Sequence, residues 1–324
     1  MRPRLIVLRA LGLGDLLTAV PALRGLRRRF PRHRIILCAP RHLEPVALLA
    51  GAVDELRDTR PLAPLDHSLH HADVAVNLHG SGPESHRVLL RRQPGRLIAF
   101  WNSKLTCTSG APLWRPDEHE VARWSRMLSE QGVPVDPTDL HLQLDVDPTL
   151  DVETTIVHPG AASESRRWPA DRFAAIARHQ LAIGRTVIVT GTRAERRLAA
   201  KVASLADIDP SAVLAGRTTL PELILQMARA GRVVCGDTGI AHLATALGTP
   251  SVVLFGPTSP AHWGPPPDPR HRVLWHGSTG DPHADRQDAG LLQISVDEVL
   301  EALRECDDHS RRRFTSGRHA PDRR

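Results

Sequence analysis

The sequence predicts an α/β protein with two Rossmann-like domains, each built on a parallel sheet, that face a cleft. Short β-branched apolar runs alternate with helical patterns, as is typical of parallel sheets with right-handed crossovers. The alternation stops in a stretch rich in Pro and Asp, residues 132–155, and then begins again. A chain of 324 residues is long enough to bury two cores.

The first series contains four predicted strands, which are LIVLR (5–9), RIILCA (34–39), DVAVNL (73–78) and RLIAF (96–100). Nearly continuous apolar runs of this kind are buried on both faces of a parallel sheet. A helix should follow the first strand, because its apolar residues recur on one face. That face consists of Leu16, Leu17, Val20, Leu23 and Leu26.

The stretch 132–155 has the composition of an interdomain linker, although LHLQLDV within it alternates as a strand would. The second series of strands is TTIVHPG, TVIVTG, SAVLAG, RVVCG and SVVLFG. We therefore predict an N-terminal domain at 1–145, a C-terminal domain at 155–306 and a disordered basic tail at 307–324.

The charge of the chain is concentrated at its end. The formal net charge is +6, and residues 309–324 hold six arginines and one aspartate, so the rest is nearly neutral. We therefore expect no nucleic-acid partner. The tail is either a solvated extension or a peripheral contact with an anionic membrane or acidic partner.

Composition also bears on the cellular compartment. The mean hydropathy is −0.24 and no apolar run reaches 18 residues, so no membrane span is expected. Arg9 and Asp15 interrupt the apolar N-terminus, which argues against a signal peptide. Four widely separated cysteines without a CxxC favour reduced thiols in the cytoplasm.

The first motif is RALGLGDLL, where a strand turns into a helix. Gly12 and Gly14 permit a tight turn, and Asp15 opens the helix. Two interpretations of Asp15 are open: an N-cap, or a functional carboxylate at the carboxyl end of the strand, facing the cleft. The pattern G-x-G-D is not G-x-G-x-x-G, which argues against a dinucleotide enzyme.

The second motif is HPGAASESRRWP, residues 158–169. Gly160 would let the backbone approach a ligand, and Ser163, Arg166 and Arg167 supply donors suited to phosphate oxygens. The alternative is a loop with solvated arginines.

A third motif, VTGTRAERR, places Glu195 just past a strand end. An acid there can accept hydrogen bonds from ribose hydroxyls. It can equally complement the helix dipole from the first turn.

The fourth motif is GDTGIAHLATALGTPSVVLFGPT, residues 236–258. We predict that Asp237 caps a helix that begins with Thr238 and Gly239 and whose free N–H groups bind a diphosphate. His242 in the first turn would add a hydrogen bond or a charge. The alternative is a capped helix without a ligand.

Two other patterns resemble metal sites. Asp145-Val146-Asp147 matches DxD but lies in the linker, and His67, His70 and His71 lie in a loop without a partner acid placed by a strand. We predict no required metal.

Taken together, RALGLGDLLTAVPALRGLRRRFP and the other three motifs resemble glycosyltransferase family 9, the bacterial lipopolysaccharide heptosyltransferases, over residues 4–300. The resemblance implies the GT-B fold, a nucleotide-diphosphate sugar donor, typically ADP-heptose, and inversion at the anomeric carbon without a metal. Arg166 or Arg167 stands where well-studied members carry a phosphate-binding lysine.

The resemblance also implies roles for single residues. Asp15 maps onto the proposed base and Glu195 onto the nucleoside contact. The diphosphate contacts map onto Asp237, Thr238, Gly239 and His242.

We therefore expect an inverting, metal-independent glycosyltransferase without a cofactor, located in the cytoplasm or at the inner face of the membrane. Its acceptor would be a hydroxyl of a cell-envelope glycan or glycolipid, next to Gly12, Gly14, Asn77 and His79. A non-catalytic nucleotide-sugar-binding module of the same fold and a nucleotide-sugar epimerase remain as alternatives.

Overall fold

The computed structural model describes residues 2–144, 146 and 152–316, with side chains as far as Asp307. The chain forms two compact units, residues 1–143 and 144–324. Their boundary lies within the predicted linker stretch.

The first unit is a five-stranded parallel sheet with strand order β3-β2-β1-β4-β5. Its strands are β1 (Arg4–Leu8), β2 (Arg34–Ala39), β3 (Glu55–Asp58), β4 (Val74–Asn77) and β5 (Arg96–Ile98). Its helices are α1 (Leu13–Thr18), α2 (Val20–Arg29), α3 (Glu44–Leu49), α4 (Glu84–Leu90) and α5 (Glu120–Ser129).

The core of the first unit forms around the central strand β1. Residues 5–8 of β1 are completely buried, because β2 and β4 flank the strand and helices cover the sheet. The predicted apolar helix face is confirmed: its five residues are at most 2% exposed. The helix is divided at Ala19 into α1 and α2.

The second unit is also a five-stranded parallel sheet, with strand order β10-β9-β8-β6-β7. Its strands are β6 (Thr154–His158), β7 (Thr186–Val189), β8 (Arg232–Gly236), β9 (Ser251–Leu254) and β10 (His271–Leu274). Its helices are α6 (Ala170–Ala182), α7 (Arg196–Leu205), α8 (Leu220–Arg229), α9 (Gly239–Leu247), α10 (Pro260–Trp263), α11 (Ala289–Gln293) and α12 (Val296–Ser316). A buried cluster joins the strands to α6, α7 and α12.

Two predicted strands are absent from the described structure, and two observed strands were missed. SAVLAG is not a strand: Pro210–Ala212 is a 3-10 turn, and Val213 makes only an isolated bridge to Val189. The edge strands β3 and β10 were not predicted, because ELRD and HRVL carry charges on strands with a single neighbour. Residues 140–144 of LHLQLDV are irregular rather than a strand, and Asp145 lies outside the described residues.

The prediction of a disordered tail from residue 307 is wrong for residues 307–316, which continue α12. The apolar residues of α12 nucleate this helix against the core, and helix propagation beyond a nucleus costs little. Asp307 itself bridges two buried arginines, at 2.6 Å from Arg185 and 2.9 Å from Arg232. Residues 317–324 lie outside the described part.

Within the described residues, none of the helices combines the length and apolar character that crossing a membrane requires. All four cysteines are free of disulfides in the structure.

Candidate functional site

The predicted site residues lie mainly in loops at the switch point of each sheet. In the first sheet the strand order reverses between β1 and β4, and in the second between β6 and β8. Ligands of open parallel sheets bind beyond the carboxyl ends of the strands at such a point. Except for Glu195, which follows β7, every predicted site residue lies at the end of one of these four strands, in the loop after it or in the first turn of the next helix.

In the second unit, β8 leads directly into the N-terminus of α9. Thr238 is the N-cap, and its hydroxyl accepts the N–H of Ile240 at 3.2 Å. The prediction that Asp237 caps the helix is therefore wrong by one residue. A Cβ at Gly236 would lie 2.9 Å from the Arg166 carbonyl oxygen, so glycine lets β8 end against the loop after β6. The resulting helix terminus is a site that favours anions.

Asp237 connects the two loops instead of capping the helix. It is 5% exposed, and its carboxylate lies 3.8 Å from Nη1 of Arg166, which also donates to the Asp237 carbonyl at 3.4 Å. Burial raises the pKa of Asp237, and the Arg166 guanidinium opposes that rise. Asp237 thus holds Arg166 beside the start of α9.

The two neighbouring arginines have different partners. Arg167 donates twice to the carbonyl of Ala161, at 3.0 and 2.8 Å, and once to Glu164 at 3.0 Å. It therefore closes its own loop. Arg166 faces Asp237, so the structure separates the two candidates that the sequence left open.

Ser163 is engaged within the protein. Its hydroxyl donates to the carbonyl of Pro282 and accepts a hydrogen bond from Nε of Arg166 at 3.4 Å. Further contacts join the segment 280–288 to the same loop, since Ser165 N donates to Ala284 O at 3.2 Å. Sequence reasoning missed this segment, because it has no periodicity and no recognisable motif.

Glu195 precedes α7 as its N-cap residue, and its Oε2 accepts the amide and the hydroxyl of Thr192, at 2.7 and 2.8 Å. A Cβ at Gly160 would lie 2.2 Å from the Glu195 carboxyl carbon. The space that Gly160 leaves is therefore filled by this carboxylate. The nearby His158 is buried, bonds Thr190 at 2.9 Å and was missed by sequence reasoning.

In the first unit, Asp15 is the third residue of α1, and Gly12 occupies the N-cap position. The interpretation of Asp15 as an N-cap is therefore wrong. Its Oδ2 instead accepts the Gly12 N–H at 3.1 Å, and its side chain is 29% exposed. Burial raises the pKa of Asp15, and Arg9 opposes that rise. Gly14 lies in the same turn.

Two charged residues beside Asp15 were not predicted as site residues. Arg9 follows β1, is 1% exposed, and its Nη2 lies 2.9 Å from Glu120 and 3.6 Å from Asp15. Glu120 begins α5 and is also buried. Their sequence separation of 111 residues means that only the tertiary fold brings them together.

Of the two residues predicted on the acceptor side, Asn77 ends β4 and His79 lies in the loop after it. Asn77 is completely buried and donates to Gly80 O at 3.1 Å and to Ser85 at 2.9 Å, while its Oδ1 accepts the His79 N–H at 2.8 Å. Asn77 therefore shapes the loop. His79 is half-buried, and burial together with Arg9 lowers its pKa to about 4, so its imidazole is neutral at pH 7.

The remaining candidates are His242 and the two patterns that resemble metal sites. The His242 ring packs edge-on against Trp263, with centroids 5.8 Å apart. The described part of the chain holds no group of three His, Cys, Asp or Glu side chains placed to bind a metal. His67 stacks on His70 at 5.5 Å, and both aspartates of the DxD pattern lie outside the described residues.

Comparison with known proteins supports the resemblance found in the sequence. The profile of the family described as "Glycosyltransferase family 9 (heptosyltransferase)" matches residues 116–290, more than half of the chain. Lipopolysaccharide heptosyltransferase 2 of Escherichia coli (strain K12) is 29% identical over 154 residues, 45% of this chain and 44% of that protein. The match thus spans less than half the length of this curated relative.

Two solved structures confirm the fold class. The E. coli ADP-heptose lipopolysaccharide heptosyltransferase II superposes with a TM-score of 0.75 at 20% identity, covering 95% of this chain and 99% of that one. The E. coli heptosyltransferase WaaC with ADP-2-deoxy-2-fluoro heptose gives 0.67 at 15% identity, covering 93% and 99%. The extent of the family match decides the assignment: the chain belongs to glycosyltransferase family 9.

Proposed function

We propose that this protein transfers a heptose or similar sugar from a nucleotide-diphosphate donor to a hydroxyl of a cell-envelope glycan or glycolipid, with inversion and without a metal. The observation that carries the proposal is the convergence of Arg166, Asp237 and the N-terminus of α9 at the switch point of the second sheet. A loop with solvated arginines would not require a buried carboxylate beside a cation and a helix N-terminus. The arrangement therefore favours a binding site for an anion.

The donor is proposed to be an ADP-sugar bound by the second unit. One structural relative is named with ADP-2-deoxy-2-fluoro heptose, which has this chemistry. In our proposal, Arg166 and the α9 terminus face the diphosphate, together with Thr238 and Gly239. Glu195 accepts hydrogen bonds from the ribose hydroxyls. The location proposed is the cytoplasmic side of the membrane, in keeping with four free thiols.

The reaction is proposed as a direct displacement with Asp15 as the base. The acceptor oxygen forms a bond to the anomeric carbon on the face opposite the diphosphate, and the bond to the diphosphate breaks. The acceptor proton passes to Asp15, whose raised proton affinity suits this role. The positive charge of Arg166 and the N-terminus of α9 stabilise the negative charge that develops on the departing diphosphate. In metal-dependent transferases a metal ion has this role.

The test is Asp15→Asn, with ADP release in the presence of a cell-envelope glycolipid as the assay. An asparagine side-chain oxygen can still accept the Gly12 N–H, so we expect a normal melting temperature and normal ADP binding. It cannot take a proton, so turnover should fall by at least about 10²-fold. The matched control is Asp139→Asn, because that side chain is equally exposed at 29% and pairs with arginines in the same unit.

Turnover unchanged in a folded Asp15→Asn protein would exclude Asp15 as the base. Absence of turnover in the unmodified chain, with ADP binding retained, would favour the non-catalytic binding module instead.

A further inference from the structure

The guanidinium of Arg9 is buried in the first unit and pairs with two carboxylates. Nε of Arg9 donates to the Asp15 carbonyl at 2.9 Å, and Nη1 donates to the Leu78 carbonyl. Nη2 bonds Glu120 at 2.9 Å and lies 3.6 Å from the Asp15 carboxylate. Arg9 therefore ties the turn that carries Asp15 to the end of β4.

Glu120 is the stronger of the two partners of Arg9. Its Oε1 also accepts the indole N–H of Trp124 at 2.8 Å, and its other oxygen pairs with Arg123. Burial alone would raise the pKa of Glu120, but Arg9 and Arg123 outweigh burial and lower it. Glu120 therefore ionises more readily than a free glutamate and forms the shorter of the two ion pairs of Arg9.

Asp15 receives only the weaker, second contact of Arg9. The charged and titratable groups around it are Arg9 and Glu120, and His79 faces the same guanidinium as a neutral ring. If Glu120 lost its charge, the whole field of Arg9 would act on Asp15 and favour its ionised form. Glu120 therefore opposes the acidifying effect of Arg9 on Asp15.

We propose that Glu120 is a positioning residue for sugar transfer: by holding the Arg9 guanidinium it keeps the Asp15 carboxylate in place and reduces the field of Arg9 at that carboxylate. This inference rests on the proposed role of Asp15 as the base. Glu120 begins α5, which none of the sequence motifs includes. The inference therefore gives α5 a role in positioning Asp15, in the turn after β1.

The experiment is Glu120→Gln, measured by the pH profile of kcat/KM and by NMR titration of 4-¹³C-aspartate-labelled protein. The Asp15 resonance is assigned by its loss in Asp15→Asn. We expect both the resonance and the acid limb of the profile to titrate about one pH unit lower than in the unmodified chain. Glutamine can still accept from Arg9 and Trp124 through its amide oxygen, but it loses the pair with Arg123, so we expect a folded protein with a lower melting temperature.

A second variant makes the test independent of the first. Arg9→Gln removes the cation and leaves Glu120 paired with Arg123, so the Asp15 titration should move in the opposite direction, to higher pH. The matched control is Glu118→Gln, because Glu118 is a part-buried carboxylate two residues away that pairs with Arg126 and does not contact Arg9. It should leave the titration unchanged.

An Asp15 resonance that titrates identically in the unmodified protein and in whichever variant folds would overturn the inference. A resonance that moves while the acid limb stays fixed would contradict the proposed function instead, because Asp15 would then not be the base whose ionisation limits the reaction.

Discussion

Replacing Arg166 by alanine should weaken binding of ADP without unfolding the second unit. Arg166 faces Asp237 at 3.8 Å beside the start of α9, whereas Arg167 is engaged with the carbonyl of Ala161. Removing Arg166 leaves Asp237 buried without its cation. Because burial already raises the pKa of Asp237, this carboxyl can take up a proton, and the loop should persist.

The magnitude follows from the hydrogen bonds that Arg166 would make to the diphosphate. A hydrogen bond to a charged group contributes about 1.5–3 kcal/mol. The Arg166 side chain is 21% exposed, so water weakens its interactions and the lower value applies. At about 1.4 kcal/mol for each factor of ten, the Kd for ADP should rise about tenfold.

Isothermal titration calorimetry with ADP measures this effect, and Arg167→Ala is the comparison. That variant removes bonds inside its own loop, so it should lower the melting temperature more than it weakens ADP binding. Arg166→Lys keeps the charge but loses the two-pronged geometry, so its Kd should lie between those of the other proteins. Equal loss of affinity in both alanine variants, or none in Arg166→Ala, would refute the placement of Arg166 at the diphosphate.

Two further outcomes are expected. Gly160→Ala should displace the Glu195 carboxylate, which is the end of a flexible side chain, so the melting temperature should stay nearly constant. The Kd for ADP should rise about tenfold. An unchanged Kd in calorimetry would show that Glu195 does not contact the nucleoside. Asp307→Ala removes the carboxylate that pairs with two buried arginines and leaves Arg185 only the 3.6 Å contact with the exposed Glu153. The free energy of unfolding in urea should therefore fall by about 3 kcal/mol, whereas deletion of 309–324 should not lower it. Equal urea midpoints for the two proteins would contradict this.

The fold could be predicted wherever burial dictates the sequence. RIILCA was predicted at 34–39, and β2 spans Arg34–Ala39, because a strand covered on both faces must be apolar throughout. β3 and β10 pair on one side only and tolerate charge, so their sequences carry no apolar run. An apolar run does not by itself specify a strand. SAVLAG has the length and composition of one, but it forms a 3-10 turn and a single bridge.

The site was predictable at strand ends and not between distant segments. Parallel strands deliver their following loops to one edge, so residues after β6 and β8 were expected together, and they are. The choice of cap between Asp237 and Thr238 was not decidable, because both residue types cap helices well. Which of Arg166 and Arg167 turns toward Asp237 depends on the loop backbone, which has no signature in the sequence.

Arg9 shows how far physical reasoning from sequence reaches and where it stops. An arginine directly after a fully buried strand must find a carboxylate, because an unpaired buried charge costs several kcal/mol. The sequence offers 36 Asp and Glu residues and does not say which one it is. The structure selects Glu120 and gives Asp15 the second contact. The charge compensation that folding requires at the end of β1 thereby also sets the electrostatic surroundings of Asp15, so mutations that weaken this pairing should change stability and catalysis together.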